Sequence, residues 1–366
     1  MENRKYLKVL YDDLLVGKLA YTKDKYVIFQ YGESWIKNGF SLNPFFLPLD
    51  SEPHINVKKP YMPHSVFLDS LPDAWGQLLL SKKLLSEGID VNSLNILDKL
   101  SLIVDKRKGR LRYEPSSKYK KSLYEKVNLD KIQDFVLSII KEKNISDTVF
   151  LDKLYRQAGS TGGARPKINL LIDGDLYIVK FAAHTDPVNI GENEYNYNVL
   201  AKKCGIFVSD FLLLPSKNCS GYFATKRFDD IYTVTIAGLL EVDYNIPSLD
   251  YSDIFKLVKI LTNDKESELY EMYKRMCFNV YAGNQDDHAK NFSMQYYIDK
   301  GIWRLSPAYD LTKSSTSFGE QTTTVNGKGK NITKEDLLKV GLNAGLKKDK
   351  LIDITDRISD VVNNRV

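Results

Sequence analysis

Cysteine is scarce in this chain of 366 residues: Cys204, Cys219 and Cys277 are all there is, with no C-x-x-C spacing among them. That excludes a disulfide framework and thiolate-bound zinc, and it predicts reduced thiols in a cytoplasm. The four histidines are scattered without zinc-type spacing. No apolar run reaches the roughly 18 residues of a membrane span. Met1 to Tyr6 leads straight into a strand-like run without the pattern of a signal peptide. These absences predict a cytoplasmic protein that does not engage a membrane. Internal repeats are missing too. Strong charge is missing as well: a formal net +5 and a pI near 8.7 permit contact with nucleic acid or an acidic partner but do not demand it.

What is present is an ordinary globular balance, 43% hydrophobic and 27% charged, with tyrosine unusually common at 23 residues. A chain of this length can form two or three structural units and bury a core without a covalent staple.

The chemistry concentrates in Gly283-Asn284-Gln285-Asp286-Asp287-His288-Ala289-Lys290-Asn291-Phe292-Ser293. Asp286 and Asn291 stand five residues apart, and a further carboxylate, Asp310, follows in Ser306-Pro307-Ala308-Tyr309-Asp310-Leu311. Phosphoryl transfer needs this set: one Asp takes the proton of the attacking hydroxyl, while an Asn and a distal Asp hold Mg²⁺ on ATP. His288 reads either as a catalytic group or as a packed residue that holds the loop by a hydrogen bond. Lys290 would neutralise the transferred phosphoryl or point to solvent.

Upstream, Ser160, Thr161, Gly162 and Gly163 lie in a Gly-rich segment that can bring backbone N–H groups close to phosphate oxygens. It is neither G-x-x-x-x-G-K-[ST] nor G-x-G-x-x-G. A hairpin is expected next, Ile168 to Ile172 and Leu176 to Phe181 around Asp173-Gly174-Asp175. Lys180 in its second strand either faces solvent or occupies the place of the lysine that grips nucleotide phosphates in a kinase-like sheet. Glu194, fourteen residues on, is either its orienting partner or an ordinary first-turn glutamate.

Periodicity predicts strands over 6–31, helical character over 68–104 and 129–143, strands over 207–215 and 221–228, then helices over 251–263, 265–284 and 333–364. Thr333-Lys334-Glu335-Asp336 has the form of a capping box. Residues 105–126 are basic, with nine Lys or Arg against three acids. Such a run is a solvated face or a surface for phosphates or an acidic partner.

The catalytic-loop and Tyr309-Asp310 motifs resemble those of the HipA family of bacterial serine/threonine kinase toxins, as does Ser160-Thr161-Gly162-Gly163-Ala164-Arg165-Pro166-Lys167. Val16-Gly17-Lys18-Leu19, Leu71-Pro72-Asp73-Ala74-Trp75-Gly76 and Gly109 to Pro115 are similar to the family's N-terminal part. The resemblance implies an α+β, bilobal protein-kinase-like fold with a β-rich N-terminal lobe, an extra N-terminal subdomain and an all-helical C-terminal lobe. Its expected bounds are 1–110 for the subdomain, 111–229 for the lobe with the Gly-rich loop and 230–366 for the helical lobe. It implies Asp286 as base, Asn291 and Asp310 on Mg²⁺, and Lys180 on the phosphates of ATP. Lys226, Phe228 and Asp229 would lie at the adenine and ribose end, and Ser160 would be autophosphorylated. It further implies a helix-turn-helix antitoxin, operator DNA reached through that antitoxin complex, and a substrate in translation of the aminoacyl-tRNA synthetase class. No Arg precedes Asp286, and Ala308-Tyr309-Asp310 stands where protein kinases have D-F-G. The Asp-x-His-x-x-Asn pattern also resembles phosphoinositide kinases. A small-molecule or lipid kinase, or a regulatory module of a repressor complex, are the alternative readings.

Overall fold

A computed structural model describes residues 4–103, 109–116, 127–141, 147–158, 163–228, 230–316 and 318–364. Most of the basic stretch, together with Ser160, Thr161, Gly162 and Asp229, lies outside the described residues. The chain divides into two compact units, Met1–Gly191 with Leu212–Ile231, and Glu192–Phe211 with Tyr232–Val366.

The first unit opens with strands β1 (Tyr6–Tyr11), β2 (Leu14–Tyr21) and β3 (Val27–Tyr31), then α1 (Glu33–Asn38), β4 (His54–Ile55), α2 (Ser65–Leu68), α3 (Ala74–Ser86), α4 (Ile96–Ser101) and β5 (Leu111–Glu114). Leu7, Val9 and Tyr11 are buried while Tyr6 and Lys8 are exposed, the alternation of a strand with one face on a core. The five strands run in the order β4-β3-β2-β1-β5. This sheet extends past residue 110, because β5 pairs antiparallel with β1. Gly17 is required where β2 crosses β3: a Cβ there would sit 2.2 Å from the Gln30 carbonyl oxygen.

The same unit continues through α5 (Leu129–Lys141), α6 (Thr148–Ala158), β6 (Lys167–Ile172) and β7 (Asp175–Lys180). It is completed, after α7 (Ile190–Lys203), by β8 (Phe211–Leu214) and β9 (Tyr222–Lys226). The hairpin turn has positive φ at both Asp173 (49°) and Gly174 (88°), the backbone that a two-residue hairpin loop demands. Its sheet runs β6-β7-β9-β8. One core serves this sheet and α3, α5 and α6 together: Trp75, Leu79, Val136, Leu154, Ile168 and Val179 all belong to it.

The second unit contains β10 (Tyr232–Thr235), α8 (Ile236–Leu240), α9 (Tyr251–Leu261), α10 (Glu266–Ala282), β11 (Ser293–Tyr297), β12 (Ile302–Leu305), α11 (Lys334–Asn343) and α12 (Lys348–Asn363). α10 is its axis, with Met272, Tyr273, Met276, Cys277 and Phe278 fully buried. The expected all-helical composition needs correction, since β10, β11 and β12 form a three-stranded antiparallel sheet. The expected helical stretch 333–364 is two helices, broken at Gly345 with φ 93°. Thr333 and Asp336 do form the capping box. All three cysteines are free thiols, and among the described residues no helix is long and apolar enough to cross a membrane.

Truncation of the fully buried Leu79 to Ala should cost about 2–5 kcal/mol, read as a lowered denaturant midpoint at unchanged slope.

Candidate functional site

The loop that carries Asp286 begins where α10 must stop. Gly283 has φ 71°, and the Asn284 N–H returns to the Asn279 carbonyl at 2.9 Å, which closes the helix end. The chain then leaves without regular secondary structure over residues 285–288, and the two adjacent aspartates meet different surroundings. The Asp286 side chain is 62% exposed, whereas Asp287 is 1% exposed.

Between these two adjacent aspartates runs a closed path of hydrogen bonds. The Asp286 N–H donates to Ser314 Oγ at 3.0 Å, and Ser314 Oγ donates to Asn284 Oδ1 at 2.8 Å. Asn284 Nδ2 donates to Asn279 Oδ1, and Asn279 Nδ2 to the Tyr251 hydroxyl, both at 3.0 Å. The Tyr251 hydroxyl donates to Asp287 Oδ2 at 2.7 Å. Every donor points the same way, toward the carboxylate, so each bond polarises the next. Thr323 N–H at 3.0 Å and Gln321 Nε2 at 3.3 Å also donate to Asp287. Burial pushes the Asp287 carboxyl up to about 7, against the Thr323 amide and the Tyr251 hydroxyl, which favour its charge.

Asn291 ends a single 3-10 turn, Ala289–Asn291, and its Nδ2 donates to the Asp286 carbonyl at 2.6 Å. Asp286 and Asn291 are therefore joined directly. His288 caps that turn: its Nδ1 accepts the Lys290 N–H at 3.2 Å, its ring lies 5.3 Å from that of Tyr244, and its Nε2 stands 3.9 Å from Asp286 Oδ1. Lys290 Nζ sits 4.7 Å above the Tyr244 ring, a cation–π arrangement.

Asp310 is brought to the loop by two neighbours. Asn284 Nδ2 reaches its carbonyl at 3.4 Å, and the Tyr309 hydroxyl donates to the Lys290 carbonyl at 2.8 Å. Asp310 itself has φ 52°, a left-handed conformation uncommon for a residue with a side chain and concentrated at functional sites. Behind it, Arg275 is 1% exposed and donates to the Ser306 carbonyl at 2.7 Å and to Glu271 at 3.0 Å. Burial works against the Glu271 charge, but Arg275 and Lys274 hold its carboxyl below the usual range.

In the first unit, Lys180 ends β7 directly opposite Lys167, and its Nζ lies 5.8 Å from the Phe223 ring centroid. Gly163 has φ 91°, and its N–H donates to Asp73 Oδ2 at 2.6 Å. Lys226 is ion-paired with Asp175 at 2.7 Å, and Phe228 is partly buried. Glu194 is buried on α7 in the second unit. Among the described residues no three His, Cys, Asp or Glu side chains gather as a metal site. Asn291 and Asp310 offer oxygen ligands of the kind a hard cation takes, completed by water and phosphate.

Sequence reasoning gave no role to Asp287, Asn284 or Ser314, and it quoted Tyr309 only as part of a motif. The only signal for Asp287 was its place beside Asp286. Its pH dependence follows from its pKa. Folded Asp287 holds a proton that the unfolded chain, near 3.8, has lost, so its contribution is fully present below about 4 and is lost as pH rises through about 7. Asp287→Asn should flatten this slope. Between pH 5 and pH 8, wild type should lose more stability than the variant in parallel denaturant titrations.

Residues 159–366 match the family described as the HipA-like C-terminal domain, and residues 7–114 match the HipA N-terminal domain. The kinase-named protein Y4dM of Sinorhizobium fredii is 27% identical over 203 residues, 49% of this chain and 49% of its own. The chain thus spans about half the length of that curated relative. HipA of Shewanella oneidensis, solved as a toxin–antitoxin complex with HipB and operator DNA, shares the fold. The TM-score is 0.71 at 18% identity, over 97% of this chain and 88% of that one. With both family regions matched and most of the chain covered, the chain belongs to the HipA family.

Proposed function

We propose that the chain is an ATP- and Mg²⁺-dependent serine/threonine protein kinase that acts as the toxin of a toxin–antitoxin module. One observation carries the reading: an exposed Asp286 carboxylate on a loop tied to Asn291 by a 2.6 Å hydrogen bond and to the Asp310 segment through Asn284. Asp286 takes the proton of the acceptor hydroxyl as its oxygen bonds to the γ-phosphorus and the bond to the ADP oxygen breaks. The Asn291 amide gives its N–H to the loop and so keeps its oxygen for Mg²⁺, with Asp310 as the second protein ligand. The bound ion supplies positive charge against the phosphate oxygens. Lys180 and the loop ending at Gly163 hold the phosphates.

His288, held by the Lys290 N–H and by Tyr244, keeps the loop in shape beside Asp286. Lys226, Phe228 and Asp229 serve the adenine and ribose end. Ser160 is the autophosphorylation site, with Thr161 and Gly162 beside it. The phosphorylated target is a translation protein of the aminoacyl-tRNA synthetase class. A helix-turn-helix antitoxin restrains the kinase and carries it to operator DNA, in the cytoplasm.

Incubation of the purified protein and a bacterial extract with γ-labelled ATP and Mg²⁺ should label Ser160 and at least one extract protein. Asp286→Asn should lower the rate by about 10²–10⁴-fold, the range for loss of a general base. Label that enters a lipid or metabolite fraction and no protein would replace this reading with the small-molecule alternative. Equal labelling by the wild type and Asp286→Asn would end it.

A further inference from the structure

The Asp286 side chain is 62% exposed, so packing does little to aim it. Its direction has to come from the backbone beneath it, and the polar groups of that backbone go to a later stretch of chain. Ser314, shortly after Asp310, lies beside Asn284 in a parallel bridge. The Ser314 carbonyl accepts the Gln285 N–H at 3.2 Å, and its Oγ accepts the Asp286 N–H at 3.0 Å. Further on, the Thr322 N–H at 3.0 Å and the Thr322 hydroxyl at 2.8 Å both donate to the Gln285 carbonyl.

Thr323 completes the set, and it does so twice. Its N–H donates to Asp287 Oδ1 at 3.0 Å, and its hydroxyl donates to the Asp287 carbonyl at 2.5 Å. One residue thus holds both the side chain and the main chain of the residue that follows Asp286. A threonine hydroxyl has a single proton to give, and here the backbone receives it. Thr323 is 1% exposed, so solvent does not compete for that proton. The next residue anchors the arrangement to α9. Thr324 accepts the Tyr251 N–H on its carbonyl at 2.9 Å and donates its hydroxyl to Asp250 Oδ2 at 2.7 Å. Tyr251, the first residue of α9, returns its hydroxyl to Asp287 Oδ2 at 2.7 Å. Asp287, Thr323, Thr324 and Tyr251 therefore close a frame whose rigid side is the capped start of α9.

We infer that Thr323 is a positioning residue for phosphoryl transfer: acting through Asp287, it presets the backbone at Asp286 so that the base carboxylate meets the acceptor hydroxyl already aimed. This rests on the kinase reading above. Thr323 touches no reacting atom and no nucleotide group in that reading, so its loss slows the chemical step and leaves ATP binding alone.

Two substitutions at one position separate the hydroxyl from the bulk of the side chain. Thr323→Val keeps the buried shape and removes the hydroxyl, whereas Thr323→Ser keeps the hydroxyl. The labelling rate at saturating γ-labelled ATP gives the chemical step, calorimetry gives ATP affinity in the presence of Mg²⁺, and Tm reports folding. Thr323→Val should label about 10–100-fold more slowly, the scale of a small misplacement of a reacting group, with ATP affinity within about twofold of wild type. Thr323→Ser should label within about threefold of wild type, because the donor is retained. The effect runs through the Asp286 carboxylate, so adding Thr323→Val to Asp286→Asn should slow the residual labelling by less than about twofold. Equal rates in wild type and Thr323→Val overturn the inference, as does an equal loss in the Val and Ser variants. A full further loss in the double variant overturns it too, since Thr323 would then act independently of Asp286. Where Thr323→Val gives no cooperative melt, Tyr251→Phe makes the same test at the other side of the frame. It should label about tenfold more slowly at unchanged ATP affinity, and a wild-type rate overturns the inference. Absence of labelling by the wild type would remove the kinase reading itself, whereas wild-type labelling with an unaffected Thr323→Val removes the inference alone.

Discussion

The geometry around Asp286 depends on one buried amide. Asn284, 2% exposed, joins the end of α10 to Ser314 and to the Asp310 carbonyl, and it supplies the middle of the path from Asp286 to Asp287, accepting from Ser314 and donating to Asn279. A buried amide left unsatisfied costs about 1–3 kcal/mol, so Asn284 is tolerable only with its partners in place. That conditional cost is what gives the loop a single shape. The path is built from neutral groups apart from its terminus, so little charge has been taken out of water to make it. Its one ionisable end, Asp287, faces three donors and ionises only near neutrality. Its protonation thus sets how strongly the whole row of dipoles is aligned.

Much of the fold was legible in the sequence because it rests on local signals. Alternating apolar residues mark β1, Asp173-Gly174 marks the β6–β7 turn, and Thr333 with Asp336 marks the start of α11. The spacing of Asp286 and Asn291 is local as well, and their direct hydrogen bond follows from it. The three-stranded sheet of the second unit was not legible. Its strands are four or five residues long, and β10 is separated from β11 by three α-helices and a 3-10 turn. Strand β5 was hidden inside a run read for its charge, although Leu111 and Tyr113 are buried. Long-range polar contacts left no trace at all. Asp73 and Gly163, or Asp287 and Thr323, are joined by geometry alone, and no periodicity links their positions.

The N-terminal family region and the sheet β6-β7-β9-β8 lie in one compact unit and share a core. Trp75 shows why they cannot be read as separate pieces. Its indole ring fills the core beneath the second sheet, and its N–H closes on the backbone that leads into that sheet. A residue placed so serves apolar burial and hydrogen-bond satisfaction at once, the usual use of a buried tryptophan.

The order in which the first unit is completed has a consequence for synthesis on the ribosome. β9 lies between β7 and β8, so the strand that ends in Lys180 stays an open edge until Tyr222–Lys226 has emerged. Before that, α7 and the segment up to Phe211, which belong to the second unit, must already have been made. An unpaired strand edge with buried-type residues such as Val179 is a template for pairing with other chains. A nascent chain arrested within that interval would hold Lys180 on an unfinished sheet. The sequence therefore couples completion of this sheet to uninterrupted translation of the chain's own middle section.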